Sequence, residues 1–202
     1  MVASVLSGAL VLYPVVVHVC IIYKLPQYAV LYLTLLLVML AFERVQGKAK
    51  YLLIILLPII AVPVLYYEPI SRSALYLFPV LVCLVFFKVF ARTLVADKVP
   101  LVTRMAEITQ GRLDDDVIRY TKSLTRVWAL VFLGLAIEST LLAFFAPFEI
   151  WSLFTNIINY IIVALVFVAD FLVRRRVLSS WRNQSFKQFM DSITKVKIRD
   201  FK

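Results

Sequence analysis

One histidine, two cysteines, four glycines and twelve acidic residues are all that these 202 residues offer of the types from which most sites are built. Each scarcity excludes something. Four glycines leave no glycine-rich loop to cradle a phosphate. Cys20 and Cys83 both lie inside apolar runs. Neither has a partner at metal-ligand spacing, and two cysteines are too few for a disulfide framework, so both read as small packing residues. His18 has no Asp, Glu or Cys three or four residues on to share a metal. The acids form one cluster, Asp114, Asp115 and Asp116. An Asp-rich diphosphate site needs a second cluster to hold its magnesium. None is present, so these residues are expected to cap a helix. No nucleophile–base pair or catalytic carboxylate pair emerges. The chain is expected to hold neither metal nor cofactor, and a non-catalytic role is favoured. No Lys or Arg precedes the first apolar run, so no cleavable leader is expected.

What the chain has in excess is apolar length. Hydrophobic residues make up 63% of it and the mean hydropathy is +0.93, whereas a soluble domain is roughly 45–50% apolar. Six runs carry the excess, at about 3–22, 28–42, 51–67, 73–90, 127–147 and 150–172. A spanning helix needs ~20 apolar residues, and the bilayer core offers no water for an open backbone. The alternation of a membrane β-barrel is absent. The expected fold is therefore all-α: a polytopic bundle of six transmembrane helices over residues 1–172, with a cytoplasmic loop at 91–126 and a basic tail at 173–202.

Charge orients it. With the N-terminus inside, segments 43–50, 88–126 and 173–202 hold 3, 8 and 9 basic residues, and the outer loops hold only Lys24 and Arg72. Cytoplasmic loops are enriched in Lys and Arg, so both termini are expected in the cytoplasm. The net charge of +10 then faces the inner leaflet, with anionic headgroups as its first partner. No nucleic-acid motif accompanies the charge, so no nucleic acid is expected.

The cytoplasmic segments have internal order. Pro100 opens a short helix, Leu101, Met105 and Ile108 share a face, and Gly111 is placed to stop it. Val117, Thr121, Leu124 and Trp128 then line one face leading into the fifth span. In the tail, Phe186, Phe189, Met190 and Ile193 follow a Ser185–Gln188 capping box. Both segments are expected to be amphipathic helices on the inner surface. Residues 9–17 (ALVLYPVVV) and 74–82 (ALYLFPVLV) agree at six of nine positions without a gap. An inverted repeat of spans one and four would produce such a likeness, and so would the bias of apolar runs.

Glu138 is the most informative position. It falls near the middle of the fifth run, where a charged acid costs about 2.5–3.5 kcal/mol on insertion scales. It is expected to be protonated or to face partners within the bundle. Asn156 and Asn159, on one face with Ser152, reach a similar depth on span six. These four residues are the candidate intramembrane polar pocket. The plainer alternative is hydrogen-bonded glue between helices, worth ~0.6 kcal/mol per bond. His18 and Tyr13 form a candidate relay, with packing as the alternative. Arg92, Arg104, Arg112, Arg119, Arg174, Arg175 and Arg176 are the candidate cytoplasmic docking surface. Asp170 and Arg174 are spaced as a helical ion pair.

Three stretches, FARTLVADKVPLVTRMA at 90–106, RYTKSLTRVWALVFL at 119–133 and WSLFTNIINY at 151–160, resemble a family of small bacterial inner-membrane proteins encoded with fatty-acid-like genes for aryl polyene pigments. YPVVVHVCIIYKL at 13–25 is more distantly similar to the intracellular septation protein A family, from which the basic tail departs. The resemblance implies an envelope role and carries no catalytic residues. The leading expectation is an accessory protein of lipid or polyene biosynthesis that docks acidic acyl carriers or enzymes at the membrane. A small transporter or flippase working at Glu138, and then a membrane-embedded lipid-modifying enzyme, are the alternatives. Oligomeric state is left open.

Overall fold

The computed structural model describes residues 2–44, 59, 63, 67–95 and 97–177. The fold among them is all helix and short connections. In chain order α1 is Val2–Ile22, α2 Pro26–Arg44, α3 Glu68–Ala91, α4 Leu101–Gln110 and α5 Asp115–Phe145. A last rod follows as α6 Phe148–Leu153, a π-helical turn Phe154–Ile158, and α7 Asn159–Val177. Among the described residues three stretches are long and apolar enough to cross a membrane: Pro69–Ala91, Asp115–Phe145 and Phe148–Val177. Gly8–Ile22 and Pro26–Phe42 are apolar but shorter. The expected span 51–67 and the tail helix 185–197 lie outside the described residues.

The chain divides into two compact units. The first is residues 1–81 with 137–160. Here α1 and α2 meet through a tight turn. Leu25 N–H donates to Cys20 O and Lys24 N–H to Ile21 O, with Lys24 left-handed at φ 58°. This is the double hydrogen bond by which helices often end, more usually on glycine. Proline at the first position of α2 gives up an N–H that no helical carbonyl would have met. Tyr13, Val17 and Ile21 on α1 face Ala29, Val30, Leu33 and Leu36 on α2. Both sets repeat every three or four residues, which is one helical face. The Tyr32 hydroxyl ties the pair by donating to Ala9 O at 2.8 Å. Trp151, only 1% exposed, is covered edge-on by Tyr76 at 4.7 Å and stacked by Phe148 at 5.6 Å.

The second unit is residues 82–136 with 161–202. Phe86 and Phe90 pack on Trp128 and Phe132, and Trp128 also meets Phe167. The face expected from Val117, Thr121, Leu124 and Trp128 is buried at all four positions. Helix α4 stops at Gly111, whose φ of 80° suits glycine. Helix α4 packs on α5 through small residues. Thr103 and Ala106 are buried, Leu101 and Met105 are half-buried, and Ile108 is exposed. Small residues let the backbones approach, and Thr103 and Thr121 share a 2.8 Å hydrogen bond there. Of the apolar stripe, Ile108 faces outward.

The acidic cluster sits where capping requires. Asp115 and Asp116 occupy the first turn of α5, at the positive end of its dipole. The helix expected after Asp114 runs into the fifth span as one rod of 31 residues. It ends at Phe145 because Ala146 precedes Pro147, and the residue before proline is pushed out of helical geometry.

Candidate functional site

Part of α5 and the start of the last rod bring several buried polar residues into the first unit. Ser139, Ser152, Asn156 and Asn159 are each at most 7% exposed. Glu138 Oε2 accepts from Asn159 Nδ2 at 3.0 Å and from the Ser139 hydroxyl at 3.3 Å. Asn159 Nδ2 also reaches Ser139 Oγ at 3.4 Å. The carboxylate thus selects the amide orientation, since the opposite one would set oxygen against oxygen.

Two acceptors are left over. Among the described residues, Glu138 Oε1 and Asn159 Oδ1 are buried and meet no hydrogen-bond donor. The Trp151 indole N–H, in the same unit, is buried and meets no acceptor among them. Most buried polar atoms are paired, so a cluster of exceptions asks for a reason. The balance at Glu138 and Asn159 is specific. The cluster is short of donors, so what would complete it is a proton, a hydroxyl or an ammonium group.

Asn156 was expected to share this site with Asn159. Its amide instead donates to Ser152 O at 3.1 Å and to Ser152 Oγ at 3.2 Å. His18 Nδ1 lies 3.0 Å from the same Ser152 hydroxyl. Either atom can be the donor in this contact, according to the histidine tautomer. This second polar group therefore joins α1 to the last rod. The expected His18–Tyr13 relay does not form. Tyr13 packs its ring on Tyr32 and Phe78, and the histidine's partner is Ser152. Spacing within α1 could not show this, because the partner lies 134 residues away.

The π-helical turn Phe154–Ile158 is the other feature that sequence reading missed. It places one extra residue in the rod between Ser152 and Asn159. Thr155 donates to Trp151 O at 2.8 Å, and Asn156 donates to Ser152 O. Side chains thus engage the carbonyls around the widened turn. Such bulges appear often at functional sites. Periodicity in an apolar run gives no sign of one. Ser139 was also missed. Its only signal was the adjacent polar triplet Glu138-Ser139-Thr140 inside an apolar helix.

Glu138 stands seven residues from the helix end at Phe145. That is about 10 Å, against ~15 Å for half a hydrocarbon core. It is thus nearer the α5–α6 turn than the middle expected from the apolar run.

In the second unit the Tyr120 hydroxyl donates to Asp170 Oδ1 at 2.6 Å, and Arg174 bonds Asp170 Oδ2 at 2.5 Å. Asp170 and Arg174 are each 6% exposed. Arg174 is therefore removed from the expected docking surface. The i, i+4 spacing foresaw the ion pair but not its burial or Tyr120. Of the remaining candidates, Arg119 pairs with Asp116 in solvent. Arg175 lies over the Phe171 ring at 5.6 Å. Arg92, Arg112 and Arg176 are exposed and Arg104 is half-buried. No group of three His, Cys, Asp or Glu residues able to hold a metal occurs among the described residues.

Comparison of the chain with protein-family models, curated proteins and solved structures finds no match.

Proposed function

We propose that this is a small membrane carrier, of the transporter or flippase class, that binds a proton or a donor-bearing polar group at Glu138 and Asn159. The observation that carries the reading is the buried carboxylate–amide pair with one acceptor on each partner unmet. Interhelical glue alone would need no acceptors to spare. Two further features support it. The π-helical turn widens the rod beside the site. The residues before Pro14 and Pro79, aligned in the nine-residue likeness, meet as Tyr13 and Phe78 at 5.8 Å, as residues equivalent in an inverted repeat can.

In this reading the chain crosses the bacterial cytoplasmic membrane six times with both termini inside. The 20-to-2 division of basic residues supports that topology. Reporters fused at 95–115 should then read cytoplasm, and at 147–149 the outer side. A periplasmic signal from 95–115 would reverse the orientation. The setting in envelope lipid or polyene biosynthesis rests on the resemblance to the aryl-polyene-associated family. An accessory role in docking acyl carriers draws on a separate observation, the exposed Arg112, Arg175 and Arg176.

Labelling with dicyclohexylcarbodiimide tests the site. This reagent partitions into bilayers and adds to carboxyl groups through their protonated form. Treated membranes, digested and read by mass spectrometry, should carry an adduct at Glu138 that is absent from Glu138→Gln. Labelling confined to the exposed Asp115 and Asp116 would defeat the carrier reading.

A further inference from the structure

A cleft of about 330 Å³ opens where α3 ends, lined by Arg92, Thr93, Lys98, Val99, Arg104 and Glu107. It belongs wholly to the second unit and shares no residue with the Glu138 site. Three cationic side chains face one carboxylate, so the cleft is electropositive. Side-chain hydrogen bonds tie the end of α3 to the start of α4. The Thr93 hydroxyl donates to Phe90 O at 2.8 Å and accepts Leu101 N–H at 3.0 Å. Thr125 Oγ1 accepts Val102 N–H at 3.3 Å. These threonines occupy amides that begin α4, which would otherwise lack partners. The attraction for an anion therefore comes from Arg92, Lys98 and Arg104, not from an open helix end.

The surroundings select the source of that anion. The cleft begins one residue after Ala91, the end of a helix long enough to cross a membrane. Val99 in its wall is 48% exposed, and neighbouring Val95 is 58% exposed. Ile108 on α4 is 42% exposed. Apolar side chains flanking a basic cleft suit the boundary between headgroups and acyl chains, where both find their complement. A cleft built for a soluble anion gains nothing from them.

We propose that Arg92, Lys98 and Arg104 form a specific binding site for the phosphate of an anionic membrane phospholipid, whose acyl chains lie against Val95, Val99 and Ile108. Such a site would fix α4 on the leaflet surface. Arg104 is half-buried, whereas Arg92 and Lys98 are exposed, so the latter two can be replaced without disturbing the fold.

The test uses the full-length protein in nanodiscs of phosphatidylcholine with added phosphatidylglycerol, and counts lipid retained on release by native mass spectrometry. Wild-type protein should retain phosphatidylglycerol over phosphatidylcholine. Arg92→Ala and Lys98→Ala should each weaken retention by about fivefold, the share of one basic residue near a membrane surface. Glu107→Gln should strengthen it. Unchanged melting temperatures would confirm that the variants remain folded. Equal retention of the two lipids, or retention unaltered in the double Arg92→Ala, Lys98→Ala variant, would overturn the site. Displacement of the lipid by soluble glycerophosphate at comparable concentration would assign the cleft to a free phosphate and overturn the lipid assignment. Capture of an acidic acyl carrier through Arg92 and Lys98, with lipid retention unaffected, would overturn it in favour of a protein partner.

Discussion

Asp170→Ala is expected to cost about 3–5 kcal/mol of stability, because it removes one partner of a buried ion pair. Asp170 and Arg174 are each 6% exposed, and the carboxylate also accepts the Tyr120 hydroxyl at 2.6 Å. The substitution strips the buried guanidinium of this carboxylate and takes an acceptor from Tyr120. Arg174→Met together with Asp170→Leu should recover much of the loss, since apolar residues of similar volume can replace a buried pair at little cost. Thermal unfolding of the detergent-solubilised protein reads all of these. Asp116→Ala is the control. Its pair with Arg119 is 79% and 75% exposed, and screening leaves such pairs little to contribute. Asp170→Ala melting with the Asp116→Ala control would show that Asp170 and Arg174 are not buried together as described.

Much of the helix plan was legible because its causes are local. The apolar runs that became α1, α2, α3, α5 and the last rod, the stop at Gly111, the first-turn acids of α5 and the buried face Val117, Thr121, Leu124 and Trp128 all follow from spacing along one helix. The break between the runs 127–147 and 150–172 was legible too, although the helix ends at Phe145. The polar site was legible in part for a different reason. An acid is so costly in an apolar run that Glu138 announces itself, and depth arithmetic offered Asn159 as its partner.

What stayed hidden depends on tertiary approach. The bond between His18 and Ser152 joins helices far apart in sequence. The link from Tyr120 to Asp170 spans 50 positions. Neither side chain carries a mark of its partner. The apolar stripe Leu101, Met105 and Ile108 marked α4 as a surface helix, but nothing in the spacing showed that its close packing on α5 uses Thr103 and Ala106. The π-helical turn has no periodic signal at all.

The substitution with the largest expected functional effect is Glu138→Gln. Glutamine can still accept from Asn159 Nδ2, so the helix contact and melting temperature should be kept. It cannot take up and release a proton. Glu138→Leu removes the acceptor as well and should cost a further ~0.6 kcal/mol, the average for a hydrogen bond between membrane helices. The two variants therefore separate a binding role from a packing role. If the site is only glue, Glu138→Gln changes nothing. If it binds a proton, Glu138→Gln abolishes the activity of a stable protein. The direct measurement is proton entry into vesicles that hold the purified protein and a trapped pH-sensitive dye, driven by a potassium diffusion potential. Wild-type vesicles should acidify faster than protein-free ones, and Glu138→Gln should fall to the protein-free rate with its melting temperature unchanged. Equal acidification by wild type and Glu138→Gln, or no acidification above protein-free vesicles, would contradict proton carriage at Glu138.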